Sequence, residues 1–191
     1  MTFAAAQSNW LTAAIATIVA AAVSALVTLL TNWADGIRQE QARQRGLYAD
    51  AFAVITAYRE FAYVIRRRRP PVDPDDHIAA DERVRISEGL RDIQKELAYF
   101  AAWIASEAVP RVARDYEALV SETRRLAGGY MRDAWKAPAL DDDSGMNISD
   151  IDFSPLEPLE KAYLASAQEA LGFWKIAFPS ILRPRSSQNL A

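Results

Sequence analysis

The chain opens with a long apolar stretch and continues with segments in which apolar residues recur at helical spacing. No side chain between Thr2 and Ala34 is charged, and residues 10–31 are almost entirely Ala, Leu, Ile, Val and Thr. About 20 such residues form a helix long enough to cross the roughly 30 Å of a membrane's hydrocarbon core. We therefore predict a transmembrane helix over residues 10–33, here called the span.

Tryptophans mark both ends of the span. Trp10 and Trp33 stand where indole rings would lie at the two membrane interfaces. A cleaved secretory signal would need a basic segment before its apolar core, and residues 1–9 contain neither Lys nor Arg. A helix buried in a soluble protein would show polar interruptions, which this stretch lacks. The span is therefore expected to be retained, with residues 1–9 as a short extracytoplasmic segment.

Arginines on one side of the span predict its orientation. Arg38, Arg43 and Arg45 follow it closely, whereas no basic residue precedes it. Because cytoplasmic flanks carry the excess of Lys and Arg, the rest of the chain is expected in the cytoplasm. The chain has 18 Arg against 4 Lys and is rich in Ala, a bias typical of GC-rich bacterial or phage genomes. The predicted location is the bacterial cytoplasmic membrane, with the N-terminus outside.

One face of the span carries small side chains. Two rows merge into this face, while the larger Ile, Val and Leu side chains fall on the other. Small faces let helix backbones approach closely in lipid. The face predicts self-association or contact with another membrane protein, although an alanine-rich helix also forms such rows by chance. Its members are Ala13, Ala16, Thr17, Ala20, Ala21, Ser24, Ala25 and Thr28.

The span is followed by a juxtamembrane segment, residues 34–46, that contains two glycines. Gly36 and Gly46 each cost a helix roughly 1 kcal/mol relative to Ala. The pattern therefore allows either a bend or one continuous helix at this point.

Two further helices follow from apolar residues spaced three and four apart. The first stripe runs from Leu47 to Ile65, and a run of arginines and a proline pair end it. The second helix is predicted to start with Asp73 as its N-cap and Pro74 in its first position. Its stripe reaches Ile104.

A third helix is predicted after a break near Pro110, where the register of the apolar stripe shifts. Gly128 and Gly129 form a pair suited to a helix C-terminus. The helix is therefore expected to end there, with a short further turn over residues 130–136.

The last predicted helix follows an acidic linker, residues 137–153. Ser154 and Glu157 have the spacing of a capping box, in which each side chain bonds the other's backbone N–H. Apolar residues at helical spacing continue to Phe178, and Pro179 ends the pattern. The tail, residues 179–191, is expected to be disordered.

These elements predict an all-α protein: one N-terminal transmembrane helix followed by a three- to four-helix bundle. The bundle is assigned to residues 47–178 and to the cytoplasm. An extended coiled coil is the alternative, and prolines that interrupt each stripe disfavour it.

The composition excludes several kinds of catalytic and metal-binding site. The chain has no cysteine and one histidine, His77, which excludes disulfides, thiolate nucleophiles and sites with several histidines. Asp141 to Asp143 with Gly145 do not complete a calcium loop, because no glutamate stands at its twelfth position. No phosphate-binding loop or nucleophile motif is present. We therefore expect no catalytic residue, cofactor or metal, and the net charge of −3 makes nucleic acid an unexpected partner.

Arginines supply the candidate binding residues. Arg66, Arg67, Arg68 and Arg69 are candidates for binding an anion or a partner. The alternative is structural, in which they cap a helix and pair with acids of the following turn. A second candidate is a pocket lined by Arg59 and Tyr63, within a seam of aromatic and polar residues.

Three stretches, YREFAYVIRRRR, LAYFAAW and MRDAWKAP, resemble those of uncharacterised single-pass membrane proteins of actinobacteria and their phages. The resemblance covers most of the soluble part and brings no activity with it. The predicted function is a membrane-anchored, non-enzymatic helical interaction module, homo-oligomeric, that docks a partner or relays a state at the membrane. Two alternatives stay open: a ligand sensor or enzyme with an Arg/Tyr-lined pocket, and a phage exclusion or defence protein.

Overall fold

The computed structural model describes residues 3–73, 75–140 and 151–172, with side chains from residue 16 onward. These residues form four α-helices, one short 3-10 turn and no strand, which confirms the predicted all-α class. The helices are α1 (Phe3–Arg66), α2 (His77–Glu107), α3 (Pro110–Lys136) and α4 (Glu157–Ala170). The chain divides into two units, Met1–Arg43 and Gln44–Ala191.

Helix α1 runs through both glycines of the juxtamembrane segment. A Cβ atom at Gly36 or Gly46 would meet no atom within 4 Å, so neither glycine is required by a close approach. Of the two alternatives for this segment, the structure gives the continuous helix. The helix ends at Arg66, where the sequence places its run of arginines.

The start of α2 differs from the prediction. His77 is its first residue, and the Asp76 carboxylate caps it by accepting a hydrogen bond from Ala79 N at 3.1 Å. The same carboxylate accepts from Val72 N, and these backbone donors lower the pKa of Asp76 below its usual value. Asp73, the predicted cap, instead bonds Asp75 N within the preceding turn. Several aspartates precede α2, and Asp76, the last of them, is the residue that caps it.

Helix α3 extends beyond its predicted end. Pro110 is its first residue, as expected, but the helix continues through Gly128 and Gly129 to Lys136. Met131 and Ala134 are buried beyond the glycines, so core packing continues where the local sequence favours a stop. Tertiary burial outweighs a cost of roughly 1 kcal/mol for each glycine.

Helix α4 begins without the predicted capping box. Ser154 opens a 3-10 turn, Ser154–Leu156, and donates its backbone N–H to the Asp152 carboxylate at 2.8 Å. The α-helix follows at Glu157 with no side-chain cap. It ends at Ala170 rather than at Phe178; residues 173–191, including the predicted tail, lie outside the described residues.

Contacts between α1 and α2 give their relative direction. The rings of Tyr48 and Trp103 meet edge to face at 6.2 Å between centroids. At the other end, a Cβ atom at Gly89 would lie 3.5 Å from the Phe61 ring. Tyr48 thus meets the end of α2 and Phe61, further along α1, meets an earlier part of α2, so these two helices are antiparallel.

Helices α3 and α4 complete an up-down-up-down bundle with the part of α1 that belongs to the second unit. Tyr116, early in α3, reaches Ala51 of α1, so α3 runs parallel to α1. Tyr163 of α4 packs on Tyr48, and Glu160 pairs with Arg59, so α4 is antiparallel to α1.

The core of the bundle is filled by the stripes predicted for the first three helices. Their side chains are buried or partly buried, with Val109 as an exposed exception at 39%. The stripe predicted for the fourth helix begins at Leu164 and is partly wrong, because Leu164 is 43% exposed while Tyr163 and Ser166 are buried. The largest fully buried side chains are Tyr116, Tyr163, Ile55, Ile65, Leu97, Ile104, Leu119 and Leu156.

Candidate functional site

The span is the most distinctive surface of the described residues. Every side chain from residue 16 to residue 30 is exposed, including Ile18 at 67% and Leu29 at 66%. Within the described residues, one helix is long and apolar enough to cross a membrane, and it contains this segment. Surfaces of water-soluble proteins carry most exposed apolar side chains singly or in small patches.

Hydroxyl groups of the span bond to their own helix. Thr28 Oγ1 donates to the carbonyl oxygen of Ser24, and Thr31 Oγ1 to that of Val27, both at 2.9 Å. The small face from Ala16 to Thr28 is exposed along its length. Ala13, its first predicted member, lies in the helix, but its side chain is outside the described residues.

Arg68 is a structural clamp. Its guanidinium donates to the carbonyl oxygens of Ala134 at 2.8 Å and of Ala137, both at the C-terminal end of α3, and to that of Ile65 at 3.0 Å. It also lies over the Trp135 ring, 5.3 Å from the centroid. Burial lowers the pKa of Arg68, which nevertheless remains a cation at neutral pH. The side chain therefore satisfies helix-end carbonyls that would otherwise lack donors.

The other three arginines of the run are placed differently. Arg69 pairs with Asp76 at 3.7 Å, and its backbone N–H donates to Glu82. The side chains of Arg66 and Arg67 form no hydrogen bond or ion pair within the described residues. Arg68 and Arg69 therefore hold parts of the bundle together, whereas Arg66 and Arg67 have no side-chain partner within the described residues.

Arg59 and Tyr63 lie near each other on α1, but Arg59 is already engaged. Its guanidinium donates to Glu160 at 3.0 Å and lies 5.4 Å from the centre of the Phe153 ring. Its buried Nε lies 3.6 Å from Glu60 and has no hydrogen bond to any residue that the structure describes. Burial, and next the charge of Glu60, raise the pKa of Tyr63. Arg59 therefore joins α1 to α4 and to the segment before it.

A cluster of three buried tyrosines was not predicted as a unit. Tyr48, Tyr116 and Tyr163, here called the tyrosine cluster, pack with Tyr116 and Tyr163 ring centroids 5.3 Å apart. Tyr163 donates its hydroxyl to the carbonyl oxygen of Tyr48 at 3.0 Å, and Tyr116 to that of Ala51 at 3.5 Å. Both hydroxyls therefore bond to backbone carbonyls of α1.

The tyrosine cluster has the electrostatics of a buried core. Burial raises the pKa of Tyr116 to about 12, and burial followed by the neighbouring Tyr116 raises the pKa of Tyr163 as well. Both hydroxyls are therefore neutral donors at neutral pH. A sequence signal for Tyr163 existed in its spacing to Ser166, Ala167 and Ala170, but the larger Leu164 concealed it.

An open depression of about 450 Å³ lies on the outer face of α2. Its lining residues all belong to that helix, so it does not bring groups from different elements together as a catalytic site does. Neither Arg59 nor Tyr63 is among them. The lining residues are Ala80, Arg83, Val84, Ser87, Glu88 and Arg91.

Within the described residues, no three His, Asp or Glu side chains are grouped as metal ligands. Asp141 to Asp143 and Gly145 lie outside the described residues. No protein-family model matches this chain, and no curated protein and no solved structure is detectably similar to it.

Proposed function

We propose that this protein is a membrane-anchored, non-enzymatic interaction module of the bacterial cytoplasmic membrane. The span crosses the bilayer with its N-terminus outside, and the bundle lies in the cytoplasm. The observation that carries the proposal is the exposed apolar helix surface of residues 16–30, which precedes a bundle with a filled core.

Energetics favour lipid as the environment of the span. Seven of its Ile, Val and Leu side chains are each more than half exposed. Transfer of such a side chain out of water is worth about 1.5–3 kcal/mol. Water contact along the whole segment would therefore cost on the order of 10 kcal/mol, which is comparable to the entire stability of an ordinary domain. The seven are Ile18, Val19, Val23, Leu26, Val27, Leu29 and Leu30.

The polar groups of the bundle support a non-enzymatic role. Arg59 and Arg68 are held by structural partners, and the hydroxyls of Tyr116 and Tyr163 bond to α1 carbonyls. Groups committed in this way hold helices together and are not presented to a substrate. The uncommitted Arg66 supports docking of a partner at the end of α1.

Topology can be tested with single cysteines, since the native chain has none. Cysteines replace Ser8 and Gln188 in separate full-length variants. A membrane-impermeant maleimide applied to intact cells should label position 8 and leave position 188 unlabelled until the cells are lysed. The reverse pattern would contradict the proposed orientation, and loss of both variants from the membrane fraction would contradict the anchor.

Self-association through the small face is the second part of the proposal. Leucine at Ala20 and Ser24 would separate the backbones of two packed spans, so association should fall several-fold. Ala22→Leu, on the opposite face, adds as much bulk as Ala20→Leu and provides the control. A membrane two-hybrid assay measures both, and equal signals from the two variants would contradict association through this face.

A further inference from the structure

The end of α1 meets the first turns of α2 and the end of α3, and arginines cluster at this junction. The Arg68 guanidinium connects α1 to α3 through the carbonyl oxygens of Ile65 and Ala134. The backbone N–H of the next residue, Arg69, donates to the Glu82 carboxylate of α2 at 2.7 Å. Three helices of the bundle therefore come together at one place.

Two further arginines lie close enough to Arg68 for their charges to act on it. Burial lowers the pKa of Arg68 first, and the charges of Arg66 on α1 and Arg83 on α2 lower it further. Like charges repel, so each guanidinium raises the electrostatic energy of its neighbours. We call Arg66, Arg68 and Arg83 the arginine cluster.

No carboxylate within the described residues pairs with the arginine cluster. Arg68 donates to backbone carbonyls, and the side chains of the other two members form no hydrogen bond or ion pair with any described residue. Two acids of the adjacent turns, Asp76 and Glu82, are already engaged by Arg69. By contrast, Arg111 elsewhere in the bundle pairs with a glutamate of α4 at 2.7 Å. The positive charge of the arginine cluster is therefore not neutralised by this part of the chain.

The arginine cluster also has room for a ligand. Arg83 lines the open depression of about 450 Å³ on α2. Arg83 is exposed and Arg66 is half-buried, so both side chains can be reached by an anion from solvent. Arg68 is held by its carbonyl partners and supplies a fixed positive charge that needs no rearrangement when an anion binds.

We infer that the arginine cluster binds a phosphate group, with Arg66 and Arg83 as its direct ligands. A guanidinium presents paired N–H donors that match two phosphate oxygens. A phosphate carries up to two negative charges at neutral pH, so it offsets the repulsion among three cations better than a single carboxylate does. The inference rests on the proposed docking of a partner at Arg66 and names the chemistry of that partner.

The test measures binding of inorganic pyrophosphate to the full chain in neutral detergent by isothermal titration calorimetry. The native chain should bind, and Arg66→Gln and Arg83→Gln should each weaken binding about tenfold or more, because each removes charge-assisted hydrogen bonds. Arg85→Gln is the matched control: it removes another exposed arginine of α2, two residues further along and on the other side of the helix, and should bind like the native chain. No binding by the native chain, or equal losses for Arg83→Gln and Arg85→Gln, would overturn the inference.

Thermal unfolding separates binding from a structural role. Arg66 and Arg83 have no side-chain partner among the described residues, so their Gln variants should unfold at the native midpoint or slightly above it in phosphate-free buffer. Pyrophosphate should raise the midpoint of the native chain and leave those of the two variants unchanged. Midpoints that fall in both variants without phosphate would show a structural role and overturn the inference.

A second ligand identifies the source of the phosphate group. Short-chain phosphatidate presents a phosphate on a lipid that is soluble as a monomer. Tighter binding of phosphatidate than of pyrophosphate would assign the site to a lipid headgroup, and the reverse order would assign it to a soluble phosphate compound. Binding of either ligand that is unaffected by both Arg66→Gln and Arg83→Gln would overturn the inference. The cysteine-labelling and two-hybrid results do not depend on this site, so a failure here is distinguishable from a failure of the anchor or of self-association.

Discussion

The span and the bundle use the same residue types in opposite environments. Ile18 and Leu29 of the span are 67% and 66% exposed, whereas Ile55 and Leu119 of the bundle are 1% and 0% exposed. The difference arises from what surrounds each residue on its helix. The span is apolar on all sides, while the bundle helices carry one apolar stripe each. The arrangement of apolar residues around a helix, more than their number, therefore determines whether the rest of the protein covers them.

The two regions also differ in how hydroxyl groups are satisfied. In the span, Thr28 and Thr31 bond to carbonyls of their own helix, so these hydroxyl groups need no partner from another helix. In the bundle, Tyr116 and Tyr163 reach carbonyls of a neighbouring helix. A single helix in lipid must satisfy its polar groups internally. The two tyrosine hydroxyls of the bundle join neighbouring helices, while Thr56 and Ser166 bond carbonyls of their own helix as the threonines of the span do.

The largest expected contrast comes from one aspartate placed in each region. Leu119→Asp buries a charge in a filled core and should destabilise the bundle by on the order of 5 kcal/mol. Leu26→Asp should leave the bundle's unfolding transition unchanged and reduce membrane insertion by about 3 kcal/mol. Denaturant titration of the detergent-solubilised full chain and carbonate extraction of membranes measure the two effects. A lower unfolding midpoint for Leu26→Asp would show that the regions are energetically coupled.

A pair of neighbours on α4 tests where the core ends. Tyr163 is fully buried and Leu164 is 43% exposed. Tyr163→Ala removes a large buried ring and should cost about 3–5 kcal/mol, whereas Leu164→Ala should cost well under half of that. Denaturant midpoints of the two variants measure the two losses of stability. Similar losses would mean that the core extends across both sides of α4.

Alkaline pH should destabilise the bundle through its tyrosines. An unfolded tyrosine loses its proton near pH 10, while the folded Tyr116 keeps its proton up to a pKa of about 12. Stability from this residue is therefore complete below pH 10 and falls by about 1.4 kcal/mol per pH unit between pH 10 and 12. Tyr163, whose pKa is also raised, steepens the decline. Unfolding free energies measured from pH 9 to 11 should fall less steeply for Tyr163→Phe than for the native chain.

The arginine run offers a matched pair of single substitutions. Arg68→Ala removes the donors to carbonyls at the end of α3 and should cost about 2 kcal/mol of bundle stability. Arg67→Ala removes an exposed side chain without a partner in the described residues, so no measurable change is expected. Arg68→Lys should not restore the loss, because an ammonium cannot reproduce the guanidinium fork. Equal losses for Arg67→Ala and Arg68→Ala would contradict the clamp.

Periodicity in the sequence was enough to predict the fold class and most of the core. Apolar steps of three and four residues identified three stripes whose side chains are buried or partly buried, from Ala51 and Leu97 to Tyr116. Helix ends were harder to predict, because they depend on contacts distant in sequence. Packing around Met131 extends α3 past its glycines, and Arg68 satisfies the carbonyls at the new end.

The roles of the candidate site residues were harder to predict from the sequence than the apolar stripes of the core. Four consecutive arginines read alike in the sequence, yet Arg68 and Arg69 have structural partners, whereas the side chains of Arg66 and Arg67 have none among the residues that the structure describes. Which arginines find partners depends on where α2 begins and where α3 ends, and the sequence around the arginines does not determine either position. Similarly, Tyr163 was overlooked because its neighbours on the buried face are the small residues Ser166 and Ala167.

The smallest expected effect compares two threonines, one in each region. Thr123 is fully buried, and its hydroxyl has no hydrogen-bond partner within the described residues, whereas Thr28 donates to Ser24. Valine has nearly the same shape without the hydroxyl, so Thr123→Val removes a buried unsatisfied group and should stabilise the bundle by about 1 kcal/mol. Thr28→Val replaces a satisfied group in the span and should leave bundle stability unchanged. Denaturant midpoints of the full chain in detergent measure both, and a destabilised Thr123→Val would mean that the hydroxyl bonds a buried water.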